Sequence, residues 1–284
     1  MVYFLALASA ALYGAADFLG GLASRRASTI AIVLISQIAG LVPLAVLLFV
    51  LPSAPSREDF VWGTIAGLAG SAGVALLYRA LAVGTMSVVA PTTAVCAVML
   101  PVFVEALRGE RLPVLTQSGI ALAILAIVLI SQHDTPSSDR VARHGRGLPA
   151  GIGLAFVSGV AIGLFFLALA RTSPAAGLWP LLASRGLSAV IFGAVLVAAY
   201  WPLKLQPAVL KTAIACGVVD MLANALYLIA SRGERLSIVV TLASLYPAST
   251  VILARIVVGE RLSSRQAVGI ACALVAVVMI VATS

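Results

Sequence analysis

Apolar residues run along this chain in blocks of about 20, the length a helix needs to cross the hydrocarbon core of a bilayer. Each block ends at a charge, a glycine or a proline. Spans are therefore predicted at 2–23, 28–51, 60–82, 86–108 and 113–131, then at 148–170, 177–201, 207–231, 236–258 and 263–282. The breaks are short: Ser24-Arg25-Arg26, Pro52 with Pro55, Gly84, Gly109-Glu110-Arg111, Arg232-Gly233-Glu234-Arg235 and Gly259-Glu260-Arg261. The one long polar stretch, 132–147, reads as a linker between two halves, 1–131 and 148–284. The first span lacks a basic leading segment and is followed directly by a second apolar run, so a retained helix is expected there and not a cleaved signal peptide.

The halves carry a repeat. Residues 109–130 (GERLPVLTQSGIALAILAIVLI) align with 259–280 (GERLSSRQAVGIACALVAVVMI) at an offset of 150, identical at 109–112, 119–121, 123, 126, 128 and 130. Apolar bias alone explains matches among Ala, Ile and Val, but not Gly-Glu-Arg-Leu followed by Gly119 and Gly269 in register. Upstream, Leu77-Tyr78 matches Leu226-Tyr227, Gly84 matches Gly233, and Ser36-Gln37 matches Ser184-Arg185. Five helices is an odd number, so the second copy enters the membrane upside down. The expected architecture is an all-α membrane protein of ten transmembrane helices in two inverted five-helix repeats, an arrangement in which secondary transporters place a substrate site near the midplane.

Composition sharpens this. Apolar residues make up 62% and charged residues 10% of 284 positions, with a mean hydropathy of +1.15. Soluble domains hold about 25% charged residues, which excludes a soluble enzyme or a DNA-binding domain. The net charge of +8 would suggest nucleic acid in a soluble protein; here the basic residues are scattered between apolar runs, as in the loops of a membrane protein. Cys96, Cys216 and Cys272 lie singly inside apolar runs, and His133 and His144 share the linker. They offer no disulfide framework or metal-ligand spacing, so neither a metal nor a cofactor is expected.

Six ionisable residues fall inside predicted spans: Asp17, Arg79, Glu105, Arg185, Asp220 and Arg255. Charge is costly there, about 2.5–3.5 kcal/mol on insertion scales, so each needs a reason. Asp220, Asn224 and Tyr227 share one helix face. That stripe either lines a cavity, with Asp220 binding substrate or a proton, or makes a buried interhelical hydrogen bond. Asp17 forms a similar stripe with Ser9 and Tyr13, and local pairing with Arg25 or Arg26 is the alternative. Arg185 suits a substrate carboxylate or phosphate or, equally, an ion pair with a buried aspartate. Arg79 is expected to snorkel, and Glu105 and Arg255 to lie at the interface. Glu110 and Glu260 read as turn and helix-start residues. Gly63, Gly67, Gly70 and Gly73 space one helix for close contact, as do Gly159 and Gly163. Pro91, Pro101 and Pro247, with Thr92, Thr93, Thr241 and Ser244 nearby, suggest kinked cavity walls.

Ten spans in two inverted halves, with a Gly-Glu-Arg-Leu corner before the last helix of each, resemble the EamA family of the drug/metabolite transporter superfamily. Tyr13-Gly14 is similar to an aromatic-glycine motif there, whereas the second half has Ser158-Gly159 at that place. The resemblance implies a secondary transporter working by alternating access, an exporter of a small polar metabolite such as an amino acid; an uptake permease for a sugar is the alternative, with a channel-like protein behind it. Substrate is expected between the halves near Tyr13, Asp17, Gln37, Tyr78, Arg185, Asp220, Asn224 and Tyr227, with a coupling proton on Asp17 or Asp220. The expected partners are the bilayer of the cell membrane and a small substrate, the chain being a monomer or homodimer without nucleic acid. A membrane-embedded enzyme such as a lipid-phosphate hydrolase would need clustered acid, base or metal-binding groups at one face. Family topology puts both termini in the cytoplasm, but loop Lys and Arg favour the other side: Arg25, Arg26, Arg140, Arg143, Arg146, Lys204, Lys211, Arg261 and Arg265 against Arg57, Arg108, Arg111, Arg171, Arg232 and Arg235.

Overall fold

A computed structural model describes residues 2–50, 53–107, 113–131, 150–200, 205–231, 239 and 242–282. The linker 132–147, the Gly109-Glu110-Arg111 corner, Arg232–Arg235, Thr241 and the side chain of Glu105 fall outside the described residues. The described elements are helical: α1 (Val2–Ser24), α2 (Thr29–Val50), α3 (Arg57–Val83), α4 (Met86–Leu107), α5 (Val114–Ser131), α6 (Ile152–Leu169), α7 (Trp179–Ala198), α8 (Pro207–Ser231), α9 (Tyr246–Leu253) and α10 (Ser264–Val281).

Eight of these are long and apolar enough to cross a membrane. The fifth and ninth expected spans do not clearly reach that length within the described residues. α5 covers Val114–Ser131 of the expected 113–131, about 27 Å at 1.5 Å per residue. The ninth is described as helix at Val239, Leu242 and Ala243 and again over Tyr246–Leu253, continued by a single π turn, Ala254–Val258, while 236–238, 240 and 241 fall outside the described residues. Pro247 thus occupies the first turn of α9 and not a helix interior, where its missing N–H leaves no bond unmade. Pro91 and Pro101 do lie inside a continuous α4.

Local chemistry sets the ends. α3 starts three residues before the predicted span because Ser56 and Asp59 form a capping box: the Ser56 hydroxyl accepts from the Asp59 amide, and the Asp59 carboxylate accepts from the Ser56 amide. The same carboxylate accepts from the Ser173 amide at 2.6 Å, tying α3 to the α6–α7 turn. Ser56→Ala is expected to lower stability by about 1 kcal/mol, measured as thermal unfolding in detergent. At the other end of α3, Gly151 takes φ +85° to open α6; a Cβ there would approach the Ala80 carbonyl to 2.8 Å. That left-handed turn, which glycine alone adopts freely, starts α6 at Ile152 instead of 148.

Helix contacts mix the two halves of the sequence. α1 packs on α8 and α9, and α2 on α8; in parallel, α6 packs on α3 and α4, and α7 on α3. Exchanging α1–α5 for α6–α10 converts the first set into the second, while the α2–α7 and α5–α10 contacts map onto themselves. Two four-helix bundles result: α1, α2, α8 and α9, facing α3, α4, α6 and α7. Glycines bring the second bundle together. Gly63 and Gly67 meet Pro180 and Ser184 of α7, Gly70 and Gly73 meet Phe165 and Ile162 of α6, and Gly159 and Gly163 receive α4 at Thr93, Cys96, Ala97 and Leu100. Outside the bundles, Gly119 of α5 seats Met279 and Ile280 of α10.

Candidate functional site

The polar residues of the spans gather where the bundles meet. Arg185 on α7 pairs with Asp220 on α8 and donates through its other terminal nitrogen to Gln37 Oε1 on α2 at 3.0 Å. Gln37 Nε2 donates to the Ser188 hydroxyl at 3.0 Å. Asn224 donates to the Asp220 carbonyl at 2.8 Å, and its amide is 3.4 Å from the Asp220 carboxylate. The Arg185 side chain is only 9% exposed, whereas that of Asp220 keeps 29%. The guanidinium is thus sunk in protein, and the carboxylate is the more open of the two. Of the two readings of Arg185, the ion pair is the one present.

The register that matched Gln37 to Arg185 also matches Gly40 to Ser188, and this explains the packing. Gln37 finds a hydroxyl at Ser188; Arg185 finds bare backbone at Gly40, where a Cβ would come within 2.5 Å of its Nη1. One member of each pair thus makes room for the other's larger side chain. Close approach of α2 and α8 is enforced one turn away, because a Cβ on Gly217 would lie 1.9 Å from the Ser36 carbonyl oxygen.

α1 runs antiparallel along α8. The Ser9 hydroxyl donates to the Ala223 carbonyl at 2.8 Å, and Cys216 Sγ donates to the Ala16 carbonyl at 3.3 Å. This pairing sets Tyr13 near the level of Asp220 and Asp17 one turn further along, beside Cys216. Tyr78 is buried, its hydroxyl 3.1 Å from Cys216 Sγ. Tyr13 makes an edge-on contact with Tyr246 of α9, ring centroids 6.5 Å apart. Asp17, Tyr13, Tyr227 and Tyr246 are all half-buried. Gly14 and Gly159 play matching parts despite their different neighbours: Gly14 admits α9 at Tyr246 and Thr250, as Gly159 admits α4.

Asp17 does not pair with Arg25. That arginine bonds Glu260 at 3.3 Å and the Leu81 and Gly84 carbonyls. Glu260 in turn accepts from the Met86 and Ser87 amides at 2.8 and 2.9 Å. It therefore caps α4 and not its own following helix, whose start Ser263 and Gln266 cap. The latch carries the α1 and α9 ends of one bundle onto the α3–α4 turn of the other. Arg79 and Arg255 are exposed.

Of the eight expected site residues, Gln37, Arg185 and Asp220 meet across the bundle interface, Asn224 bonds Asp220 beside them, and Tyr78 of α3 reaches Cys216 of α8; Tyr13 and Asp17 lie on α1, and Tyr227 packs with Ala6, Ala230 and Val239 inside one bundle. Four that sequence reasoning passed over belong with them. Ser188 and Cys216 were visible as same-face neighbours of Arg185 and Asp220, three and four residues away. Tyr246 and Gly40 gave no local signal, since only the packing of other helices brings them in.

A comparison with curated protein sequences finds no match. A solved crystal structure of a protein is similar over 97% of this chain and 98% of that chain, with a TM-score of 0.57 at 19% identity; that likeness carries the fold alone. The family model described as EamA-like transporter family matches residues 1–132 and 149–282. With its apolar helices, this makes the chain a multi-pass integral membrane protein, and it belongs to the EamA-like transporter family.

Proposed function

We propose that the chain is a secondary-active exporter of a small polar metabolite such as an amino acid, working by alternating access in the cell membrane. The carrying observation is the Gln37–Arg185–Asp220 cluster, whose members come from opposing bundles. A charged network across a sliding interface can exchange internal partners for substrate as the bundles move. The repeats are 1–131 and 148–284, joined by 132–147, and the mirrored helix contacts support that division. The moving bodies are the mixed bundles and not the sequence halves, because α1 is packed on α8 and α3 on α6. Tyr13, Asp17, Asn224 and Tyr227 complete the substrate-facing surface, while Tyr78 and Gln37 hold its back wall.

The test is counterflow in proteoliposomes loaded with unlabelled amino acids and exposed to labelled ones. Saturable uptake that requires internal substrate is expected. Non-saturating conductance would replace the transporter with a channel.

A further inference from the structure

A half-open cavity of about 320 Å³ lies beside the Arg25–Glu260 latch, away from the cluster around Arg185. Its walls are helix ends and connectors: Arg25 follows α1, Thr85 joins α3 to α4, and Val258 and Glu260 lie between α9 and α10. It therefore sits where apolar spans give way to polar turns, which is the headgroup zone of a bilayer. The side-chain polar atoms left unengaged in this lining can all donate. The three hydrogen bonds of Arg25, to Glu260 and to the Leu81 and Gly84 carbonyls, all leave from Nη2. Its Nε and Nη1 make none among the described residues. Gln266 Oε1 is committed to the Ser263 amide, which leaves Nε2 as a donor, and the Thr85 hydroxyl makes no hydrogen bond among the described residues. The acid in the wall is already satisfied: Glu260 accepts from Arg25 and the Met86 amide through Oε1, and from the Ser87 amide through Oε2.

Val83, Val88 and Val258 give the same cavity an apolar part. Arg26, Arg261 and Arg265, next in sequence to lining residues, are exposed, so cations outnumber Glu260 around it. A free guanidinium edge presents two parallel N–H groups that match two oxygens of one anion. Further donors on separate elements, at Thr85 and Gln266, suit a tetrahedral phosphate better than a flat carboxylate, and the valines suit a short apolar stem. We propose that this cavity binds the phosphate of an anionic ester, held by the Nε–Nη1 edge of Arg25, the Thr85 hydroxyl and the Gln266 amide. The phosphate belongs either to the headgroup of an anionic membrane lipid or to a soluble phosphate ester, and the recognising chemistry is the same for both. Arg26 and Arg261 add longer-range attraction. Glu260 does not repel the ligand as a bare carboxylate would, since the α4 amides and Arg25 hold its charge. The site stands apart from the proposed substrate site and does not depend on it.

The test is thermal unfolding of the purified full chain in an uncharged maltoside detergent, titrated with dihexanoylphosphatidylglycerol and with sn-glycerol 3-phosphate. A saturable rise in unfolding temperature is expected with at least one of them. A lower half-saturating concentration for the lipid assigns the site to a membrane headgroup; an equal or lower one for the soluble ester assigns it to that ester. Dihexanoylphosphatidylcholine, whose choline cancels the phosphate charge, should bind about tenfold more weakly than the better of the two. Arg25→Gln should raise the half-saturating concentration about tenfold or more, and Arg25→Lys by less, since it keeps the charge without the fork. Ala150→Phe fills the cavity from an exposed wall residue and leaves the latch in place, so it should abolish the rise. No rise with either anionic ester, an equal rise with the choline lipid, or half-saturation unchanged in both Arg25→Gln and Ala150→Phe each overturns the proposal. If Arg25→Gln does not fold, Ala150→Phe decides alone, and unchanged binding there overturns it. Phosphate-ester binding without counterflow in proteoliposomes would sink the transporter reading and leave this site standing; counterflow without such binding would do the reverse.

Discussion

Arg185→Leu is expected to cost about 3 kcal/mol of stability, the lower end for breaking a buried ion pair because Asp220 is partly exposed. The cost arises on the groups left behind. Asp220 loses its counter-charge, and the Gln37 carbonyl loses its donor, between helices held too close at Gly217 and Ser36 to relax apart. Adding Asp220→Asn should recover most of the loss, since neutral groups carry far less desolvation penalty. Arg185→Lys should fall between: it keeps the charge but not the fork that reaches Asp220 and Gln37 together. Thermal unfolding in detergent gives the stability order. In proteoliposomes the Leu single and the Leu/Asn double variant should both lose counterflow, as neither can exchange partners across the interface. A double variant that transported at the wild-type rate would reduce the cluster to a structural tie.

How far was this legible? The helices were, because a run of about 20 apolar residues has few alternatives in lipid. Boundaries slipped where side chains and not hydropathy set them: the Ser56–Asp59 box was present in the letters but lay among Pro55, Arg57 and Glu58, which read as loop. The Asp220–Asn224–Tyr227 stripe followed from helical spacing alone. Its partner did not. That Arg185 meets Asp220 and not a ligand depends on α2, which packs on both α7 and α8 and makes room for the guanidinium at Gly40, and spacing within one helix contains no such information. The mixed bundles were likewise hidden, since a repeat suggests that each copy folds on itself. Glu260 was read as a helix-start acid, which is correct in kind, yet the helix it caps is α4, some 174 residues away in sequence.

Glu260 also supplies the second large effect. Its carboxylate neutralises the α4 N-terminus through two amides and holds Arg25, which itself reaches the Leu81 and Gly84 carbonyls. Every one of these bonds except that between Arg25 and Glu260 joins opposing bundles. In alternating access the bundles part at this face in one of the two states, so the latch contributes only to the state in which the face is closed. Glu260→Gln keeps the shape and removes the charge; a loss of about 2 kcal/mol on the closed side would raise the open fraction by roughly thirtyfold where the closed state dominates. Val88 lines the pocket beside the latch and is 3% exposed, so Val88→Cys reports that change. In a background with Cys96, Cys216 and Cys272 replaced, maleimide should label Cys at position 88 slowly, and at least tenfold faster once Glu260→Gln is added. Arg25→Ala should give a smaller acceleration, because the α4 amides keep their carboxylate. Equal labelling with and without Glu260 would mean that the bundles do not part at this face, and the closing contact would have to be sought at the opposite ends of the same helices.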